Sequence, residues 1–219
     1  MKIKLPDFNK GLIVYLLSSI TIGFLLLTAF VLIDPLSNLD LKFSGEIQEH
    51  SNHPLDMAMK GVSWFGYMPN AVFLVIIAAS LFFIFKYKRE ALFTILTLLS
   101  GLASSIIKFL VNRPRPLPSL VNILEKTRQQ SFPSGHVVFY IVFFGFLILL
   151  MFRLSAINKI VRLSVSGCSL LLIFAVPVSR IYLGAHWFTD VLGGLLLGLL
   201  CLYLLSYFYL NPVTHRSAK

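Results

Sequence analysis

Six apolar stretches, at about 11–33, 68–85, 91–111, 137–152, 160–178 and 187–210, limit what this chain can become. A helix needs about 20 apolar residues to cross a bilayer core. Four stretches reach or approach that length, while the fourth and fifth are short or interrupted. Composition agrees. The chain is 57% hydrophobic and 13% charged, against about 45–50% and about 25% in soluble domains. The expectation is an all-α integral membrane protein: a six-transmembrane helical bundle, one membrane-embedded domain over residues 1–219, with its active site at the outer membrane face.

A net charge of +10 raises the question of a nucleic-acid partner. The basic residues argue against one, because they lie between the apolar runs rather than in a single block. The positive-inside rule expects that distribution. Lys2, Lys4 and Lys10, then Lys86, Lys88 and Arg89, then Arg153, Lys159 and Arg162, then Arg216 and Lys219 fall on one side of a six-span chain. Both termini are therefore expected in the cytoplasm of a multi-pass plasma-membrane protein, with 34–67, 112–136 and 179–186 facing outward. The run 11–33 is longer than a signal-peptide core and no small-x-small cleavage pattern follows it, so it reads as a retained helix. Cys168 and Cys201 sit inside apolar runs and suggest neither a disulfide framework nor a metal site.

The outward loops carry the chemistry. In SGLASSIIKFLVNRPRP, residues 100–116, Lys108 lies one turn before the helix end. Alone it reads as a lysine snorkelling to the interface. Arg113 and Arg115 each precede proline, which disfavours the α region, so both are expected extended at the membrane surface. In SFPSGH, residues 131–136, Ser134 is a natural N-cap, and Gly135 leaves room for a ligand to approach the backbone. The free N–H groups of a first helical turn bind anions, and His136 sits beside them. In SRIYLGAHWFTD, residues 179–190, His186 and Asp190 share a face if helical. A carboxylate on one imidazole nitrogen fixes the tautomer and leaves the other free as nucleophile or base. Asp190 stands at the edge of a span, where a charge is costly and is read by default as functional. Arg180 adds a further outward cation. Three cations suit a phosphate, and two histidines suit a nucleophile and a general acid.

These stretches resemble the signature of the type 2 phosphatidic acid phosphatase superfamily: K-x6-R-P, P-S-G-H and S-R-x5-H-x3-D. Here the positions are Lys108 with Arg115-Pro116, then Pro133-Ser134-Gly135-His136, then Ser179-Arg180 with His186 and Asp190. The signature occupies about 100–195, and the likeness extends over roughly 60–210. The resemblance implies a metal-independent lipid phosphatase without cofactor. His186 would attack phosphorus and Asp190 would orient it. His136 would protonate the leaving oxygen and later activate water. Lys108, Arg115, Ser134, Gly135 and Arg180 would hold the phosphate, with Arg113 auxiliary. The implied substrates are phospholipids or polyprenyl phosphates in the bilayer: undecaprenyl diphosphate, phosphatidylglycerophosphate or phosphatidic acid. Dephosphorylation of lipid A, phosphotransfer between lipids, and a lipid transporter on the same fold are the alternatives. The related vanadium haloperoxidases are soluble.

Three features remain outside this scheme. Glu46, Glu49, His50 and His53 are too weakly spaced for a metal site, and 34–60 reads as a loop with a short amphipathic helix on the membrane. Gly194 and Gly198 suggest close helix packing. Trp64, Tyr67 and Trp187 sit where aromatic-belt residues do.

Overall fold

The computed structural model describes residues 10–127 and 129–211. Its helices, in chain order, are α1 (Lys10–Ile33), α2 (Asn38–Gln48), α3 (His53–Ser63), α4 (Met68–Ile84), α5 (Lys88–Leu96), α6 (Leu99–Val111), α7 (Gly135–Arg153), α8 (Lys159–Tyr182) and α9 (Phe188–Leu210), with a 3-10 turn at Trp64–Gly66 between α3 and α4. Five segments are long and apolar enough to span a bilayer: α1, the α5–α6 pair, α7, α8 and α9. The sixth expected span is different. α4 is short, and it reaches spanning length only together with α3, across a 62° bend. Lys2, Lys4, Arg216 and Lys219, on which part of the orientation argument rests, lie outside the described residues.

Local chemistry sets the ends. Asn52 accepts a hydrogen bond from the Leu55 N–H (3.0 Å), and Pro54 occupies the first turn of α3, where its missing N–H costs nothing. Pro69 does the same for α4. Asn112 stops α6 in the left-handed conformation, its N–H returning to the Lys108 carbonyl (2.9 Å). Pro114 then blocks continuation. Between Asn112 and Gly135 the described residues form no helix.

α7 is the central rod. In its apolar window 61% of residues are buried, against 6% in α1 and 11% in α8. Because lipid tails are as apolar as leucine, tight packing and polar ties must hold such helices together. The GxxxG face of α9 supplies close packing. A Cβ on Gly194 would lie 2.8 Å from the Ser134 carbonyl oxygen, and one on Gly198 would lie 3.0 Å from Ile141 Cβ. The small-residue face is therefore filled by α7 of the same chain.

Two surface expectations change. α2 does not lie free as an amphipathic segment, because Asp40 and Ser44 are buried. The Gln48 amide donates to the Asn122 and Tyr182 carbonyls (2.7 and 2.8 Å) and accepts from the Asn122 N–H (3.0 Å). Trp187 is not a belt residue. It is fully buried and donates its indole N–H to the Pro114 carbonyl (3.3 Å), because it caps α9 directly behind the site.

Candidate active site

The topology brings the end of α6, the start of α7, the end of α8 and the start of α9 to one end of the bundle. Direct hydrogen bonds then join the three motif stretches. The Lys108 ammonium donates to the Gln130 and Ser131 carbonyls (2.7 and 3.1 Å). Arg115 donates to the Ala185 carbonyl (2.5 Å), the Gln130 carbonyl (3.3 Å) and the Gln129 carbonyl. The Ser134 N–H donates to the Asp190 carbonyl (2.9 Å), which links the N-termini of α7 and α9.

A cavity of about 590 Å³ opens among these elements, lined by Lys108, Arg115, Gly135, His136, Arg180 and His186 at its polar end. Ser134 and Asp190 lie fully buried behind its wall. Four buried side-chain atoms have no hydrogen-bond partner among the described residues: Ser104 Oγ, Ser134 Oγ, His136 Nε2 and Arg180 Nε. Unpaired buried polar atoms are few in native proteins and each needs a reason. Three of the four belong to residues that line this cavity, Ser104, His136 and Arg180, as expected of a site that takes a polar ligand. Ser134 stands at the N-cap position, but its hydroxyl does not cap the helix, so the oxygen remains free. Gly135 leaves its side of the cavity open, since the nearest atoms to an added Cβ would be Ser104 Oγ at 3.5 Å and Lys108 Cε at 3.8 Å.

His186 and Asp190 meet without sharing a helix face. His186 precedes α9, and the chain reaches it through Gly184 at φ +65°. A Cβ there would stand 2.2 Å from the Asn122 carbonyl oxygen, so both backbone sign and space require glycine. His186 Nδ1 lies 3.4 Å from Asp190 Oδ2, and His186 Nε2 lies 3.3 Å from Arg115 Nη1 at the cavity. The Nδ1 contact is long for a hydrogen bond. Burial, helped by Arg115, Lys108 and Arg180, holds the His186 pKa well below its ordinary 6.5. The charged form is the one disfavoured, so the imidazole is neutral at neutral pH and Nε2 keeps its lone pair. Burial, with Arg180 next in effect, lowers Arg115 to about 10, which leaves it cationic at neutral pH.

The sequence reading missed what stands behind Asp190. Arg113 is not at the surface. Its side chain is fully buried between Asp190 Oδ1 (2.5 Å) and Asp40 Oδ2 (2.7 Å). Asp40, on α2, also accepts from the Thr189 N–H (2.8 Å) and hydroxyl. Asp190 further accepts from the Trp187 N–H (2.9 Å) and the Ser131 hydroxyl. Asp40 is 150 residues from Asp190, and nothing in its local pattern points to the site. The R-P-R-P repeat was the visible hint for Arg113.

A second unpredicted support is the WFGY stretch at 64–67. The Tyr67 ring stands edge-on to His136, with centroids 5.1 Å apart. Gly66 lies so close that an added Cβ would be 2.2 Å from His136 Cδ2. Gly66→Ala should displace the imidazole and lower kcat by about 100-fold, since misplacement of about 1 Å can cost that much. Steady-state kinetics on the folded variant check this.

Comparison with known proteins decides the family. The PAP2 superfamily model matches residues 90–213, more than half the chain and all three motif stretches. The chain belongs to the PAP2 superfamily. Phosphatidylglycerophosphatase B of Bacillus subtilis (strain 168) is 34% identical over 139 residues, covering 62% of this chain and 65% of that protein. The bacitracin transport permease protein BcrC of Bacillus licheniformis is 36% identical over 84 residues, 38% of this chain and 36% of that protein. The matched stretches thus span less than two thirds of each of these relatives. The crystal structure of a transmembrane PAP2-type phosphatidylglycerolphosphate phosphatase from Bacillus subtilis superposes with a TM-score of 0.76 at 26% identity, over 91% of this chain and 98% of that one. LpxE of Aquifex aeolicus shares the fold, with a TM-score of 0.58 at 22% identity over 78% of this chain and 96% of its own. The PAP2 match begins in α5, so Asp40, Ser63, Gly66 and Tyr67 lie outside it.

Proposed function

We propose that this PAP2 protein is a metal-independent membrane phosphatase. Its substrate would be a lipid whose headgroup ends in a phosphomonoester or diphosphate. The observation that carries this reading is the two-ended cavity. Its polar end holds Lys108, Arg115, Arg180 and both histidines, while its other end is lined by Ala71 and Val72 of α4, Leu98, Leu102 of α6 and Phe139 of α7. A charged headgroup fits the first end and the start of an apolar tail the second. A lipid tail would then enter between α4 and α6, whose residues line that part of the cavity.

In this mechanism His186 Nε2 attacks phosphorus as the P–O bond to the lipid breaks. His136 gives a proton to the departing oxygen, and the phosphoryl group rests on His186. Water then attacks the phosphohistidine, His136 takes its proton, and inorganic phosphate leaves. Asp190 keeps the proton of His186 on Nδ1 and stabilises the cation formed. Lys108, Arg115, Arg180 and the first turn of α7 hold the equatorial oxygens, where fixed donors stabilise developing charge. The site would face the extracytoplasmic side of the plasma membrane, with both termini cytoplasmic.

The test is phosphate release by the purified protein in detergent, from phosphatidylglycerophosphate, undecaprenyl diphosphate, phosphatidic acid and lipid A, with and without EDTA. Release from one of these lipids, undiminished by EDTA, is expected. Activity lost to EDTA and restored by a divalent ion overturns the metal-independent chemistry. Phosphate that leaves one lipid only when another accepts it makes the protein a phosphotransferase.

A further inference from the structure

We propose that Glu125 is a positioning residue that turns Arg180 so that its Nε–H faces the bound phosphate. This inference rests on the reading of the cavity as a phosphate site. Arg180 is fully buried, and its outer fork is spoken for. Nη1 donates to Glu125 Oε2 (2.9 Å) and to Ser63 Oγ (3.0 Å), and Nη2 donates to Glu125 Oε1 (2.8 Å). That leaves Nε, buried and without a partner among the described residues, and the second Nη2 N–H beside it, on a side chain that lines the cavity.

The partners holding that fork are themselves fixed. The Glu125 N–H donates to the Leu183 carbonyl (3.2 Å), and the Glu125 side chain is 11% exposed. Ser63 Oγ pairs with Ser179 Oγ (2.7 Å), which also reaches the Met59 carbonyl (2.7 Å). The planar guanidinium is thus gripped from behind, and rotation of its plane would break two charge-assisted bonds. A lysine could not replace it, because a single ammonium cannot grip a carboxylate on one edge and present a fixed donor on another. The opposite role, a carboxylate competing with phosphate for Arg180, would place Glu125 in the cavity wall, whereas the lining includes Arg180 and not Glu125.

The sign of one affinity change separates the two roles. Orthovanadate serves as the probe on the full-length protein in detergent, measured by inhibition of lipid-phosphate hydrolysis and by thermal protection, which needs no turnover. Glu125→Gln is expected to weaken orthovanadate by roughly tenfold to a hundredfold, the scale on which losing an outer partner weakens metal sites. Glu125→Asp should recover part of that loss. Arg180→Lys should weaken binding at least as much, and the double variant Glu125→Gln/Arg180→Lys no further, because residues acting as a unit are not additive. Tighter orthovanadate binding in Glu125→Gln, unchanged affinity, or losses that add in the double variant would each overturn the inference. Should Glu125→Gln not fold, Glu125→Asp carries the same test through its affinity and its coupling to Arg180→Lys. A wild-type protein that neither binds orthovanadate nor releases phosphate sinks the phosphatase reading itself, a different result from a Glu125 variant that behaves as wild type.

Discussion

His186→Ala should reduce lipid-phosphate hydrolysis by at least about 10⁴-fold, the scale on which enzymes lose rate when a nucleophile is removed. The reason is geometric. His186 Nε2 is the imidazole nitrogen at the cavity beside Arg115, while Nδ1 faces Asp190. No other side chain among the lining residues pairs a neutral nitrogen with a carboxylate behind it. Wild-type protein given substrate labelled in its terminal phosphate should retain label through an acid-labile bond when quenched in base. The alanine variant should retain none. Full turnover in His186→Ala, or a label of equal size in both proteins, would remove the phosphohistidine from the mechanism.

The second large effect concerns stability. Arg113→Met should destabilise the protein by about 3–5 kcal/mol, the usual cost of removing one partner of a buried ion pair. Arg113 here serves two carboxylates, Asp40 and Asp190, and all three side chains are fully buried. Its loss leaves two like charges without a cation between them. Thermal unfolding in detergent should show a much lower midpoint, and activity should fall with it because Asp190 loses its orientation. Adding Asp40→Asn to Arg113→Met should restore part of the stability, since one of the stranded charges is then gone. If Arg113→Met melts with wild type, the Asp40–Arg113–Asp190 chain contributes little and Asp190 is held by Ser131 and the Trp187 N–H alone.

That chain also shows how far local pattern reaches. Lys108, Arg115, His136, Arg180 and His186 were identifiable because their chemistry is unusual at the ends of apolar runs, and each lines the cavity. Ser134 and Asp190 were identifiable for the same reason but stand behind its wall. Arg113 was visible yet misplaced, because a residue before proline reads as an exposed stop signal until a buried partner is known. Asp40 and Glu125 were not legible at all. Asp40 sits in the first turn of a short helix and Glu125 in a polar loop, and their importance comes only from the guanidinium each one meets.

The sequence by itself determined that the chain is a helical membrane protein, and that three loop stretches carry matched cations, histidines and a carboxylate. Length, hydropathy and residue chemistry act locally, so they can be read along a line. Tertiary structure alone decided that α4 needs α3 across a bend to reach spanning length, and that the glycine face of α9 belongs to α7. It also decided that the Asp190 carboxylate is held through Arg113 from α2, and that Arg180 is gripped at its outer edge. Those outcomes depend on which surfaces meet, and contacts between residues far apart in the chain leave no periodic mark in the sequence.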